Sequence, residues 1–198
     1  MRLPKLLRQF LAEFIGTLLL VLLGDGSIIQ VAKQEEAFTN VAFGYGLALM
    51  VGILVSGAVS GGHLNPAVTL AMTVRGKCCL IQLPVYWAAQ YLGAFCGAGL
   101  LFAVYADHLE QPPGLTLEAA GWFATFPSPE SSTMTLVFDQ MLGTAVLVLI
   151  VMVINDQRHI NTSSGLAALL LGLGLTAIHL SLALNSGCAI NPARDFSP

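Results

Sequence analysis

The chain has 198 residues, 56% of them hydrophobic and only 10% Asp, Glu, Lys or Arg, with a net charge of −3. Ordinary soluble domains carry about 25% charged residues, so this chain lacks the polar side chains needed to cover itself in water. That composition excludes a cytosolic enzyme, a nucleic-acid binder and a disordered protein, and it marks a membrane protein.

A helix that crosses the hydrocarbon core needs about 20 mostly apolar residues. Five stretches qualify, at Gln9–Gln30, Val41–Ser60, Leu83–Ala106, Leu136–Ile154 and Gly165–Leu184. The first is long enough to span, and no small-residue cleavage site interrupts it, so it is not a removable signal peptide. Between the second and third spans lies Pro66–Val74. It is too short to cross and opens on proline, a favoured first helical residue, so it reads as a re-entrant half-helix. The connection Asp107–Thr133 holds Pro112, Pro113, Pro127 and Pro129 and is expected to be a loop outside the core.

Charge sets the orientation. With alternating spans, Arg2, Lys5, Arg8, Arg75, Lys77 and Arg158 share one face, six of the eight basic residues. The positive-inside rule makes that face, and the N-terminus, cytoplasmic. The Asp107–Thr133 connection carries Asp107, Glu110, Glu118 and Glu130 with no Lys or Arg, and falls on the extracellular side. Cys78, Cys79, Cys96 and Cys188 have no metal-ligand spacing. No catalytic, metal or cofactor constellation is expected.

The chain repeats itself. Gly16 and Thr17 match Gly143 and Thr144 at an offset of 127, and Asn65-Pro66-Ala67 recurs as Asn191-Pro192-Ala193 at an offset of 126. Residues 1–106 therefore read as a first repeat of three spans with half-helix 66–74, residues 107–133 as an extracellular loop, and 134–198 as a second repeat. An odd number of spans per unit inverts the second copy, and inverted repeats place their shared site near the bilayer midplane. The counterpart of Ala106 falls near residue 233, beyond Pro198. The second repeat is thus expected to be incomplete, lacking the sixth span and most of its half-helix, as in a fragment or a truncated isoform.

The two Asn-Pro-Ala tripeptides carry the chemistry. Proline sets a first helical turn and Asn caps it. Two half-helices meeting at mid-membrane point their positive dipole ends inward. Their Asn amides can then donate hydrogen bonds into a narrow pore, which orients water oxygens and opposes cations and protons.

Three segments resemble the aquaporin (major intrinsic protein) family: Ala12-Glu13-Phe14-Ile15-Gly16-Thr17, Ser60-Gly61-Gly62-His63-Leu64-Asn65-Pro66-Ala67-Val68, and Ser186-Gly187-Cys188-Ala189-Ile190-Asn191-Pro192-Ala193-Arg194-Asp195. Asp195 after Arg194, the stretch Phe123-Ala124-Thr125-Phe126-Pro127-Ser128-Pro129 and Phe138-Asp139-Gln140 resemble its glycerol-conducting branch. The resemblance implies an all-α, right-handed bundle of six spans with two re-entrant half-helices, and a homotetramer with one pore per subunit. It also implies passive conduction of water and of glycerol or other small uncharged solutes across a membrane, with no chemical step; the plasma membrane is taken as the default location.

The resemblance further implies a four-residue constriction. Arg194 matches the filter arginine, and counting back from the motifs places Tyr45, His179 and Cys188 beside it. A glycerol filter resembles two aromatic walls with a small residue opposite the arginine. His179 stands where that small residue is usual, so the set looks like the water-selective type. Cys188 is expected to be a target for mercurials. Glu13 and its repeat counterpart Gln140 are expected to support the loops around His63 and Ser186. Gly16, Gly93, Gly97 and Gly143 read as close-packing positions. Asp25 receives no role. Two alternatives stay open: a water-selective channel in a glycerol-branch framework, and a non-conducting truncated isoform. A secondary transporter also uses inverted repeats, but no paired intramembrane acids support one.

Overall fold

The computed structural model describes residues 3–34, 37–109, 116–156, 158 and 161–198. Arg2 of the basic set, and Glu110, Pro112 and Pro113 of the long connection, lie outside the described residues. The described chain is all-helical: α1 (Lys5–Gln34), α2 (Phe38–Ser60), α3 (Pro66–Val74), α4 (Gln82–Val104), α5 (Ala106–Leu109), α6 (Leu117–Ala120), α7 (Thr133–Ile154), α8 (Ser164–Leu182) and α9 (Pro192–Phe196). Five of these, α1, α2, α4, α7 and α8, are long and apolar enough to cross a membrane.

Helices α1, α2 and α7 contain the stretches expected from hydropathy, and α4 and α8 stop two residues short of theirs. Helix α1 has 30 residues, or about 45 Å at 1.5 Å per residue, so it extends beyond a hydrocarbon core about 30 Å thick. Helices α7 and α8 begin earlier than their apolar runs because serines cap them. Ser132 Oγ accepts from Thr135 N at 3.2 Å, and Ser163 Oγ accepts from Leu166 N at 3.3 Å. Helix α8 stops at Leu182, short of Leu184, where the chain turns and Gly187 N bonds back to Ala183 O at 2.9 Å.

Helix α1 packs on both α2 and α4, α2 packs on α8, and α8 lies beside α7. Short helices α3 and α9 enter this frame, α3 against α4 and α7, α9 against α4. The inward side of α1 carries Gln9, Ala12, Glu13, Gly16, Thr17, Leu20 and Gly24, a three- and four-residue spacing that makes one buried stripe. Along α7 the buried positions are Asp139, Gly143, Leu147 and Ile154.

Backbones come close at glycines. A Cβ on Gly97 would stand 2.6 Å from Leu18 O, and Gly93 sits over Phe14 O in the same way. In the α2–α8 contact, which the sequence reading missed, a Cβ on Gly172 would stand 2.5 Å from Gly46 O. Backbone cannot yield as a flexible side chain can. Gly97→Ala is therefore expected to cost about 1–3 kcal/mol, the usual overpacking range, seen as a lower unfolding temperature in detergent. Gly99→Ala, with open space around its Cβ position, is the control and should melt with the parent.

The described part of the 107–133 connection is not bare loop. It carries α5 and α6, and Leu109, Ala119 and Trp122 are buried against Ile29 of α1 and Leu101 of α4. Lys33 Nζ lies 4.9 Å from the centre of the Trp122 ring. Proline count signalled irregular backbone correctly but said nothing about Trp122, whose large apolar ring draws the segment down onto the helix ends.

Candidate functional site

The site begins where α3 and α9 start. Asn65 Oδ1 accepts from Ala67 N at 2.8 Å and from Val68 N at 3.4 Å. Asn191 Oδ1 accepts from Ala193 N at 3.1 Å and from Arg194 N at 3.4 Å. Pro66 and Pro192 follow as first helical residues. The two amides then cross. Asn65 Nδ2 donates to Ile190 O at 2.9 Å, and Asn191 Nδ2 donates to Leu64 O at 2.9 Å. This reciprocal pair joins the two repeat motifs, 126 residues apart in sequence, and each amide keeps one further N–H.

The approaches to both caps are strained. Leu64, Cys188 and Ile190 have φ of 51°, 58° and 37°, a region that costs a side-chain-bearing residue about 1–3 kcal/mol. Such turns persist only when surrounding bonds over-determine them. Glu13 does this on the first side. Its Oε1 accepts from Ser60 Oγ at 2.6 Å and His63 N at 3.0 Å, and its Oε2 from Leu64 N and Gln90 Nε2, both at 2.8 Å. Gln90 Nε2 and His63 Nδ1 also meet Thr69 Oγ1, at 2.8 and 3.3 Å. Tyr86 donates to Ser60 O at 2.7 Å.

Gln140 holds the second side. Its Oε1 accepts from Ile190 N at 2.9 Å and its Nε2 donates to Ser186 Oγ at 2.6 Å. Ser186 Oγ in turn donates to Asp139 Oδ2. Glu13 and Gln140 thus meet the loops expected of them, while Ser60, Gln90 and Asp139 complete networks that the sequence reading did not include.

Two cavities adjoin the site, and the Asn pair lines the larger. The larger, about 760 Å³, is lined by Leu49, Val68, His63, Leu171, Asn65 and Asn191 among others and opens beside Arg75, Lys77 and Arg158. At that mouth Arg158 donates to Asp156 through Nε at 2.9 Å and Nη2 at 2.7 Å. These bonds hold the Asp156 carboxyl well below the usual carboxylate range. The smaller cavity, about 270 Å³, is lined by Ile28, Val41, Phe126 and Gly187 among others. Tyr45 and Arg194 are the residues common to both linings. They form the partition.

The partition is built around the arginine. The Arg194 guanidinium carbon lies 5.3 Å from the centre of the Tyr45 ring, and that ring stacks on His179 at 5.1 Å. His179 packs flat against Tyr45, and its Nδ1 lies 3.0 Å from Leu175 O. Cys188 is 2% exposed in an apolar cluster with Ile178 and Ile190, and it is absent from both linings. Arg194 Nη1 donates to Phe123 O at 3.0 Å. Asp195 Oδ1 receives Thr125 N and Thr125 Oγ1, both at 2.8 Å, which ties the 121–131 segment to α9. Asp25, unassigned from sequence, is fully buried: its Oδ1 accepts from the Tyr45 hydroxyl and lies 3.3 Å from Arg194 Nη2.

Among the described residues no group of three or more His, Cys, Asp or Glu side chains is placed to hold a metal ion. What the arrangement offers is a polar thread between apolar walls, with hydrogen-bond donors on the Asn amides and the guanidinium.

A family model described as Major intrinsic protein matches residues 1–198. Human Aquaporin-9 is 42% identical over 203 residues, spanning 98% of this chain and 69% of that protein. Aquaglyceroporin-2 of Rhizophagus irregularis is 40% identical over 196 residues, spanning 94% of this chain and 62% of that protein. The crystal structure of the aquaglyceroporin from Plasmodium falciparum superposes with a TM-score of 0.91 at 30% identity, over 97% of this chain and 79% of that one.

Proposed function

The chain belongs to the major intrinsic protein family, an integral membrane protein, and from that premise we propose that it forms a passive path for water, glycerol and similar small uncharged solutes. The observation that carries the reading is the crossed pair of Asn caps, which lines the larger of two cavities whose linings share Tyr45 and Arg194. Each Asn spends its oxygen on a helix start and one N–H on the opposite loop, which locks the amide. The remaining N–H of each is then a fixed donor in a narrow apolar tube, where a permeating hydroxyl or water must present its oxygen.

In this reading Asn65, Pro66, Ala67, Asn191, Pro192 and Ala193 form the central motif. Tyr45 and Arg194 form the constriction, with His179 and Cys188 behind them. Glu13, His63 and Gln140 support the loops. The relation of residues 1–106 to 134–198 as inverted repeats, separated by an extracellular 107–133 segment, is supported by the reciprocal Asn bonds and by Glu13 and Gln140 gripping equivalent turns. A cytoplasmic N-terminus, a plasma-membrane location and a homotetramer complete the proposal, in which conduction involves no chemical step.

A water-selective version has its own support, because Tyr45 is wedged between His179 and Arg194. Stopped-flow light scattering on proteoliposomes under an inward glycerol gradient separates the readings. Fast shrinkage followed by fast re-swelling is the expected result. Fast shrinkage without re-swelling assigns the constriction to water alone. Shrinkage no faster than in empty vesicles would overturn the channel reading.

A further inference from the structure

Asp25 is the part of this site that neither the motifs nor the family reading used. It lies on α1, one turn above Val21, fully buried. Arg194 is 3% exposed and faces it at 3.3 Å. Asp195 is also near the guanidinium, at 3.8 Å from Nη1, but its side chain is one-third exposed and its Oδ1 is taken by Thr125. The buried counter-charge is therefore Asp25. Its Oδ1 also accepts from the hydroxyl of Tyr45, while its buried Oδ2 has no hydrogen-bond partner among the described residues. One carboxylate thus touches both residues of the partition.

On the reading of Tyr45 and Arg194 as the constriction of a conducting path, we propose that Asp25 is a selectivity-determining residue of that path, the fixed buried counter-charge of Arg194 that also holds Tyr45 beside it. Charges this close and this dry interact strongly, and removing one partner of a buried pair leaves the other uncompensated. An arginine standing alone would repel cations by its own charge. Here that charge is paired with a buried carboxylate, so cation exclusion depends on the pair staying matched. Loss of the arginine exposes a bare carboxylate to the pore, and a bare buried carboxylate attracts protons and cations.

The test is a double-variant cycle in proteoliposomes, with Arg194→Met, Asp25→Asn and the two combined. Proton leak is read with an entrapped pH dye under a potassium diffusion potential, and water flux by stopped flow. Arg194→Met is expected to raise proton leak about tenfold, and adding Asp25→Asn to return it to within about twofold of the parent, a coupling that independent sites would not show. A leak that persists in the double variant, or that never rises in Arg194→Met, overturns the proposal. Should Arg194→Met fail to fold, the double variant decides by its unfolding temperature in detergent. Recovery upholds compensation, and no recovery overturns it. Water flux through the parent at the level of empty vesicles would instead sink the channel reading, an outcome separable from the leak cycle.

Discussion

Replacing Glu13 with Ala is expected to unfold the first half of the site and abolish water flux. Its carboxylate accepts from Ser60 Oγ, His63 N, Leu64 N and Gln90 Nε2 while fully buried. Ser60 has an alternative in Ser56 O at 3.3 Å, and Gln90 has one in Thr69 Oγ1. The two backbone N–H groups have none in the described bonds. Each buried donor left without a partner costs about 1–3 kcal/mol, so the loss is on the order of 3–6 kcal/mol once the strained Leu64 turn loses its anchor. That is a large share of the about 5–15 kcal/mol by which folded proteins are stable. Glu13→Gln should cost roughly half as much, because one oxygen remains while the amide nitrogen faces donors. Thermal unfolding in detergent and water flux per reconstituted protein check both. An unchanged melting temperature in Glu13→Ala would show that water replaces all four bonds.

Asn65→Ala and Asn191→Ala form the second expectation. Each removes a cap, worth about 0.5–2 kcal/mol, and leaves the opposite carbonyl, Ile190 O or Leu64 O, buried without its donor. Together the losses come to about 2–4 kcal/mol per variant. Because the bridges are reciprocal, loss of either lets the two loops part, so the double variant should lose less than the sum of the singles. Water flux should fall at least about tenfold in each, since a constriction displaced by an ångström no longer presents its donors in line. Additive unfolding costs with water flux intact would show the two bridges to be separate caps with no joint role in the path.

These two variants probe the same principle from opposite ends. The half-helix starts are held in unfavourable backbone geometry, with φ above zero at Leu64, Cys188 and Ile190. Polar side chains from the spans, Glu13 on α1 and Gln140 on α7, hold that geometry in place. Membrane interiors supply no water to rescue an orphaned N–H. Irregular backbone in such surroundings needs a dedicated acceptor, and the chain provides one for each motif.

Much of this was legible in the sequence because it is local. A run of about 20 apolar residues can satisfy its backbone in lipid only as a helix, so α1, α2, α4, α7 and α8 follow from hydropathy. Asn-Pro marks a capped start wherever it occurs, so Pro66 and Pro192 open α3 and α9 as read. The matching offsets of the two motifs announced that these starts belong together. Glu13 and Gln140 stood out as polar groups in apolar runs, and burial obliged them to find partners.

The tertiary structure alone decided which partners. Asp25 and Arg194 are 169 positions apart, and only the folded bundle brings their charges to 3.3 Å. Counting from the motifs named Tyr45, His179, Cys188 and Arg194 as one set. The fold stacks the Tyr45 ring on His179 and sets the Arg194 guanidinium beside it, while Cys188 packs in an apolar cluster. The docking of Trp122 on the ends of α1 and α4, and the backbone contact at Gly46 and Gly172, were equally invisible. Hydropathy and capping are properties of a few neighbouring residues, whereas a buried charge pair or a glycine contact exists only once two distant helices have met. That is the physical boundary between what the sequence determined and what the fold had to decide.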